Sequence, residues 1–342
     1  MKQLFIFILL IFFSVFAHAT DIVNVYNWSG YLPDSVIKKF EKETGIKVNY
    51  ATYDSNETLY AKLKATPNAG YDVIVPSTYY LDRMRQEHML QKIDKTQIPN
   101  FKYLTPRFLN QSYDPHNDYS IPYFWGTTAI TVNTRYHAQA PITSWHHFWD
   151  PNYKNTLMLL DDMREVFSMA LISLGYSPNE TDETHIYQAY LKLKSLLPNV
   201  KLFNADAEEA IYIDEDATLG MGWSGDIYLA KQENPALNYI YPQEGFIIWI
   251  DNLAIPTGAK HLKNAHVFIN FILRPDVAKT ISLQTGYASA NQGAITLLPA
   301  HIRNNPIMYP DAKTLSHGHV QTDVGHAIKI YEKYWELLKI EG

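Results

Sequence analysis

The chain has 342 residues, a formal net charge of −6 and positive and negative side chains interspersed, so it carries no basic footprint for nucleic acid. It has no cysteine, which excludes a disulfide framework, a lipidated cysteine and any thiolate metal site. A chain of this length without staples must rest on a large apolar core, divided between two lobes.

Lys2, the apolar run 4–16 and Ala17-His18-Ala19 read as a secretory signal over residues 1–19, and the run is too short to span a membrane. Residues 22–27 alternate as a strand and lead into the loop Trp28-Ser29-Gly30-Tyr31. Pro33 opens a helix that buries Val36, Ile37 and Phe40 and stops at Gly45. Residues 46–50 form a second strand. Residues 54–65 form a helix with Asp54 and Glu57 at capping-box spacing. Residues 71–75 form a third strand, ended by Pro76-Ser77-Thr78-Tyr79-Tyr80, and a helix follows to about residue 89. This β-α-β-α-β-α order is that of a doubly wound sheet.

Residues 100–118 are loop-rich. Strands are expected at 129–133, 157–160 and 219–223 and around Tyr239 and Ile248. Helices are expected at 163–174, 184–197, 261–273 and 275–285, and from Asp323 to the end with Val324, Ile328, Tyr331, Trp335 and Leu338 on one stripe. Residues 245–256 read as a buried strand that crosses back to the first lobe. Within it Trp249 and Asp251 share a face. A carboxylate in such a run costs several kcal/mol unless a positive group meets it. The alternative is that Asp251 ends the strand and caps a turn with Asn252.

Ligands of an open α/β sheet bind beyond the carboxyl ends of its strands. Those ends supply Trp28 and Tyr31, Ser77 and Tyr79, Asp162 and Glu165, Trp223 and Ser224, and Trp249 and Asp251, with Arg164 as the exceptional cation. Each has a bland reading beside the functional one. Asp162 and Glu165 have the spacing of a capping box, and tryptophans most often pack in cores. Taken together, rings and acids imply a ligand that is cationic and partly apolar. Aromatic faces attract ammonium groups by roughly 0.5–2 kcal/mol each. Asp162, Glu165 and Asp251 suit a short chain with two or three positive charges, such as a linear polyamine.

The segments Tyr26-Asn27-Trp28-Ser29-Gly30-Tyr31, Ser120-Ile121-Pro122-Tyr123, Asp161-Asp162-Met163-Arg164-Glu165-Val166-Phe167 and Gln321-Thr322-Asp323-Val324-Gly325, with the runs 40–48, 72–80, 245–256 and 273–278, closely resemble the periplasmic spermidine/putrescine-binding proteins of bacterial polyamine ABC importers. The resemblance implies an α/β, two-lobe periplasmic binding protein fold of type II, hinged, with the ligand in the interlobe cleft. It divides the chain into a signal at 1–19, one lobe from 20–126 plus 250–295, and a second from 127–249 plus 296–342. By that similarity Trp28, Tyr31, Trp223, Trp249 and Tyr287 form an aromatic box, and Asp162, Glu165 and Asp251 pair with the amines. Ser77, Tyr79 and Gln321 add hydrogen bonds, and Ser29 lines the cleft. Tyr287 and Gln321 come from the resemblance alone. The implied partners are a polyamine and an inner-membrane permease; the implied protein is a periplasmic monomer without metal or cofactor. Gly30 is a departure, since spermidine-preferring members often have an acid there. Thr78-Tyr79-Tyr80 is more similar to the spermidine-preferring branch.

Two other classes stand beside this one. A ferric-ion binder would use Tyr79 and Tyr80, which on a strand would face opposite ways. An exported hydrolase would use Ser224 in Gly222-Trp223-Ser224-Gly225-Asp226, one residue short of a nucleophile elbow.

Overall fold

The computed structural model describes residues 21–138 and 141–341, so the signal-like segment lies outside the described residues. Strands β1 (Ile22–Trp28), β2 (Lys47–Tyr53) and β3 (Val73–Ile74) pair in parallel in the order β2-β1-β3, joined by helices α1 (Asp34–Thr44) and α2 (Asn56–Ala65). Gly45 ends α1 at φ 75°, and its N–H donates to the Glu41 carbonyl. The cap of α2 is shifted by one residue from the expected box. Ser55, not Asp54, is the N-cap, and its Oγ accepts from Thr58 N at 3.1 Å. Asp54 instead takes the Thr58 hydroxyl at 3.2 Å. Helix α3 (Thr78–Gln86) begins directly after Ser77, so Tyr79 and Tyr80 occupy its first turn and not a strand end.

The second sheet has eight strands: β4 (Ile121–Asn133), β5 (Leu157–Leu159), β6 (Val200–Phe203), β7 (Leu219–Trp223), β8 (Leu237–Ile240), β9 (Phe246–Leu253), β10 (Ala288–Ser289) and β11 (Gly318–Val320). Its order is β11-β9-β4-β7-β5-β6, with β8 and β10 also pairing along β4. β4 runs for 13 residues, all buried, and sequence reading reached only the last part of it. Pro122 is the reason. Proline has no amide to donate and argues against a central strand. The register against β9 shifts between Pro122 and Phe124, and this irregularity accommodates it.

β9 is antiparallel to β4, and its continuation reaches the first sheet. Ala254 and Ile74 exchange two backbone hydrogen bonds at 2.9 and 3.0 Å, and Asn252 N donates to the Pro76 carbonyl. Residues 253–256 therefore cross back as expected. Helices α4 (Met163–Ser173), α5 (Glu183–Leu196), α6 (Glu208–Ile213) and α7 (Ser224–Glu233) surround the second sheet; α8 (Leu262–Ile272) and α9 (Pro275–Thr285) return to the first. The terminal helix Ile328–Glu341 starts later than expected, after a 3-10 turn at Gly325–Ala327. Val324, Ile328, Tyr331 and Leu338 are nonetheless buried on one stripe.

Apolar burial holds each part together. Trp145, Phe148, Phe167, Leu193 and Tyr331 share one core around the second sheet; Val23, Phe40, Val73, Phe268 and Ile281 share another beside the first. Each such side chain contributes about 1.5–3 kcal/mol on burial. Trp223 packs against both cores.

Candidate ligand-binding cleft

All twelve residues that the resemblance assigns to the site line one cavity of about 250 Å³, walled from both sheets, whereas Ser224 and Arg164 do not line it. From the first sheet, Trp28 closes β1 and donates its indole N–H to the Val75 carbonyl at 2.8 Å, which fixes the ring. Ser29 and Gly30 form the exposed rim, and Tyr31 turns inward. Gly30 sits at φ +73°, a conformation that favours glycine, though the space a Cβ would occupy is open. Ser77 and Tyr79 come from the β3–α3 junction.

Asp251 and Trp249 project from the same side of β9, as period two requires. Asp251 does not cap a turn: it is 2% exposed and accepts Ser77 Oγ at 2.6 Å and Tyr31 Oη at 2.8 Å. The rings adjoin. Tyr31 lies 6.2 Å from Trp28 and 5.0 Å from Tyr287, and Tyr287 lies 5.5 Å from Trp249. Two glycines make room for them: a Cβ on Gly126 would collide with the Trp249 ring, and one on Gly225 with Tyr287.

On the other wall Asp162 is the N-cap of α4, its Oδ1 accepting from Glu165 N at 3.0 Å. The capping reading thus holds for Asp162 while its side chain also lines the cavity. Glu165 does not complete the box: its Oε2 is buried with no hydrogen-bond partner. Between them Arg164 points away. Its guanidinium lies 5.0 Å from the Tyr79 ring and 5.5 Å from Tyr331, and it donates to Thr322 O, Pro178 O and Asn179 Oδ1. Gln321 donates to Ser168 Oγ at 3.1 Å, and its carbonyl accepts the Thr78 hydroxyl at 2.9 Å.

Sequence reasoning missed several residues here. Asn56 is buried; its Nδ2 donates to Ser77 Oγ at 3.0 Å and Tyr79 Oη at 3.1 Å, and its Oδ1 accepts from Ser77 N. Asp226 accepts the Tyr287 hydroxyl, and Glu208 opens α6 beside Trp223. Asp226 could have been found three residues after Trp223, on the first turn of the helix that strand feeds. Glu208 has no such signal. The two rival constellations resolve otherwise. The phenols of Tyr79 and Tyr80 diverge, one toward Asn56 and the other to Glu57 at 3.3 Å. The Ser224 hydroxyl is buried and accepts Thr127 N–H at 3.2 Å.

No lysine or arginine is among the described residues lining the cavity. Burial pushes Asp251 up to about 6 against the hydroxyls of Ser77 and Tyr31. Burial, then repulsion from Glu209, raises Asp226 to about 6. Burial and Asp162 raise Glu57 to about 7 and push Glu165 well above the carboxylate range. Each of these groups holds its proton more tightly in the folded chain than in the unfolded one. The empty protein therefore loses stability as pH rises from about 4 through about 7. For Asp251, moved from 3.8 to about 6, the effect is on the order of 3 kcal/mol. The thermal midpoint of the ligand-free protein should fall between about pH 5 and pH 8, a trend read by calorimetric melts, and a cationic ligand should reverse it.

The chain matches the family described as bacterial extracellular solute-binding protein over residues 35–310. It is 50% identical over 325 residues to the spermidine/putrescine-binding periplasmic protein of Salmonella typhimurium, covering 94% of this chain and 93% of that one. It is 36% identical over 309 residues to the putrescine-binding periplasmic protein PotF of Escherichia coli, covering 85% and 83%. The solved spermidine/putrescine ABC transporter substrate-binding protein of Streptococcus pneumoniae superposes with a TM-score of 0.80 at 36% identity, over 94% of this chain and 99% of that one. With its fold that of the two-lobe type II receptors, the chain belongs to the bacterial extracellular solute-binding proteins.

Proposed function

We infer that this protein is a periplasmic polyamine receptor that closes on a linear polyamine and delivers it to an ABC permease. The observation that carries the reading is electrostatic. Asp162, Glu165 and Asp251 face one ring-walled cavity that no lysine or arginine lines among the described residues. Alkyl-ammonium chains answer both halves of that wall: methylenes lie against rings, and amines meet carboxylates. Closure gains energy because groups from both lobes share one cation only when closed. The receptor acts as a monomer and leaves its ligand chemically unchanged. The relatives' printed names support the ligand class and the transporter partner. Among the described residues no helix is long and apolar enough to cross a membrane.

Titration calorimetry of the chain from residue 20 onward tests this. Spermidine and putrescine should each bind saturably at one site. An uncharged diol of matched length and Fe(III) should give no binding heat. Equal binding of the diol would show that charge is not what the cleft reads, and absence of polyamine binding would end the proposal.

A further inference from the structure

Asn56 is the first residue of α2 and is buried at the edge of the cleft. The helix takes its cap from Ser55, so the Asn56 side chain has no capping duty. Its orientation follows from its partners. The Ser77 backbone N–H can only donate, so the Asn56 oxygen faces it, at 3.0 Å. The amide nitrogen is then a donor on the opposite side, to Ser77 Oγ at 3.0 Å and to Tyr79 Oη at 3.1 Å. Turning the amide over would set donor against donor at Ser77 N.

The two hydroxyls inherit a direction from this amide, since each has one proton to place. Ser77 Oγ accepts from Asn56 and keeps its own proton for Asp251 Oδ1, at 2.6 Å. Tyr79 Oη also accepts from Asn56, so its proton turns away from α2, and the Asp162 charge acts on it there. The consequence falls on Asp251. Burial pushes its proton affinity up, and the Ser77 and Tyr31 hydroxyls oppose that push. The other titratable groups whose charge reaches Asp251 are Tyr53, Tyr287 and Glu165. None of these is a hydrogen-bond partner of Asn56, whose influence on Asp251 runs through Ser77.

We propose that Asn56 is a positioning residue that sets the direction of both hydroxyl protons, aiming that of Ser77 at Asp251 and so keeping this carboxylate ready for a cation. The proposal rests on the polyamine reading and deepens it. Asn56 need not touch the guest; it acts through a hydroxyl that would otherwise be free to rotate.

The test is titration calorimetry with spermidine at pH 6 and pH 8 on the wild type, Ser77→Ala, Asn56→Leu, Asn56→Asp and the double variant Ser77→Ala/Asn56→Leu. The reading is the ratio of Kd at pH 6 to Kd at pH 8. Loss of one hydroxyl donor raises the proton affinity of Asp251, moved already to about 6, so protonation competes with the guest at a higher pH. The ratio should rise roughly threefold to tenfold above that of the wild type in each single variant. Asn56→Leu leaves Ser77 N–H without its acceptor and is the variant whose folding is at risk. Asn56→Asp keeps that acceptor, suits the first turn of a helix, and draws the Ser77 proton away from Asp251. The double variant should show the ratio of Ser77→Ala and no more. A weakening that is equal at both pH values would make Asn56 a packing residue and overturn the proposal, as would effects that multiply in the double variant; either leaves the receptor reading intact. A wild type that binds no polyamine would overturn both.

Discussion

Asp251→Asn should weaken spermidine binding by about 2–5 kcal/mol, roughly thirtyfold or more in Kd. The substitution keeps the shape of the side chain and removes the charge. In the native cleft Asp251 is 2% exposed and is met only by the hydroxyls of Ser77 and Tyr31, neither of which neutralises it. In the proposed complex an ammonium supplies the missing counter-charge, in a place where water screens little. The loss should exceed that from removing one ring, for which about 0.5–2 kcal/mol is typical. The empty variant should melt no lower than the wild type near pH 8, because burying a neutral amide is cheaper than burying an anion. Calorimetry reads the first effect and thermal melts the second; unchanged affinity would remove Asp251 from the site.

Arg164→Met should destabilise the empty protein by about 3–5 kcal/mol, since it breaks a buried charge arrangement from one side. Arg164 is 1% exposed, and its charge opposes the raised proton affinities of Glu57, Asp162 and Glu165. Methionine would keep contact with the Tyr79 and Tyr331 rings, but Pro178 O, Thr322 O and Asn179 Oδ1 would lose a donor. A melt should show the midpoint lowered by roughly 4–7 °C. Saturating spermidine should restore more of it than ligand binding adds to the wild type, because the guest brings positive charge to the same acids. Equal ligand-induced gains in the two proteins would mean that Arg164 acts by packing alone.

Much of this is legible in the sequence. Period two placed Trp249 and Asp251 on one face, and a buried carboxylate in an apolar run needed an explanation. Strand ends gave Trp28, Tyr31, Ser77, Tyr79 and Trp223, because position at the carboxyl edge of a sheet is a property of local sequence. Asp162 illustrates the limit of choosing between readings: it caps α4 and lines the cleft with one side chain. Tyr287 and Gln321 were reachable only through resemblance, since they enter from the α9–β10 turn and the segment after β11.

What escaped depends on tertiary packing. Asn56 was hidden because Ser55 and not Asp54 caps α2, and that one-residue shift decides which side chain enters the core. Glu208 lies on a six-residue helix whose local sequence announces only an acidic first turn. β4 looked short because Pro122 lies inside it, and proline is a strand-ending signal wherever no bulge absorbs it.

β9 carries Asp251 in mid-strand and then zips through Ala254 to Ile74. One continuous backbone thus joins the two sheets, and the carboxylate assigned to the guest in the proposed complex sits on that shared strand, whereas Asp162 and Glu165 start α4 on one wall alone.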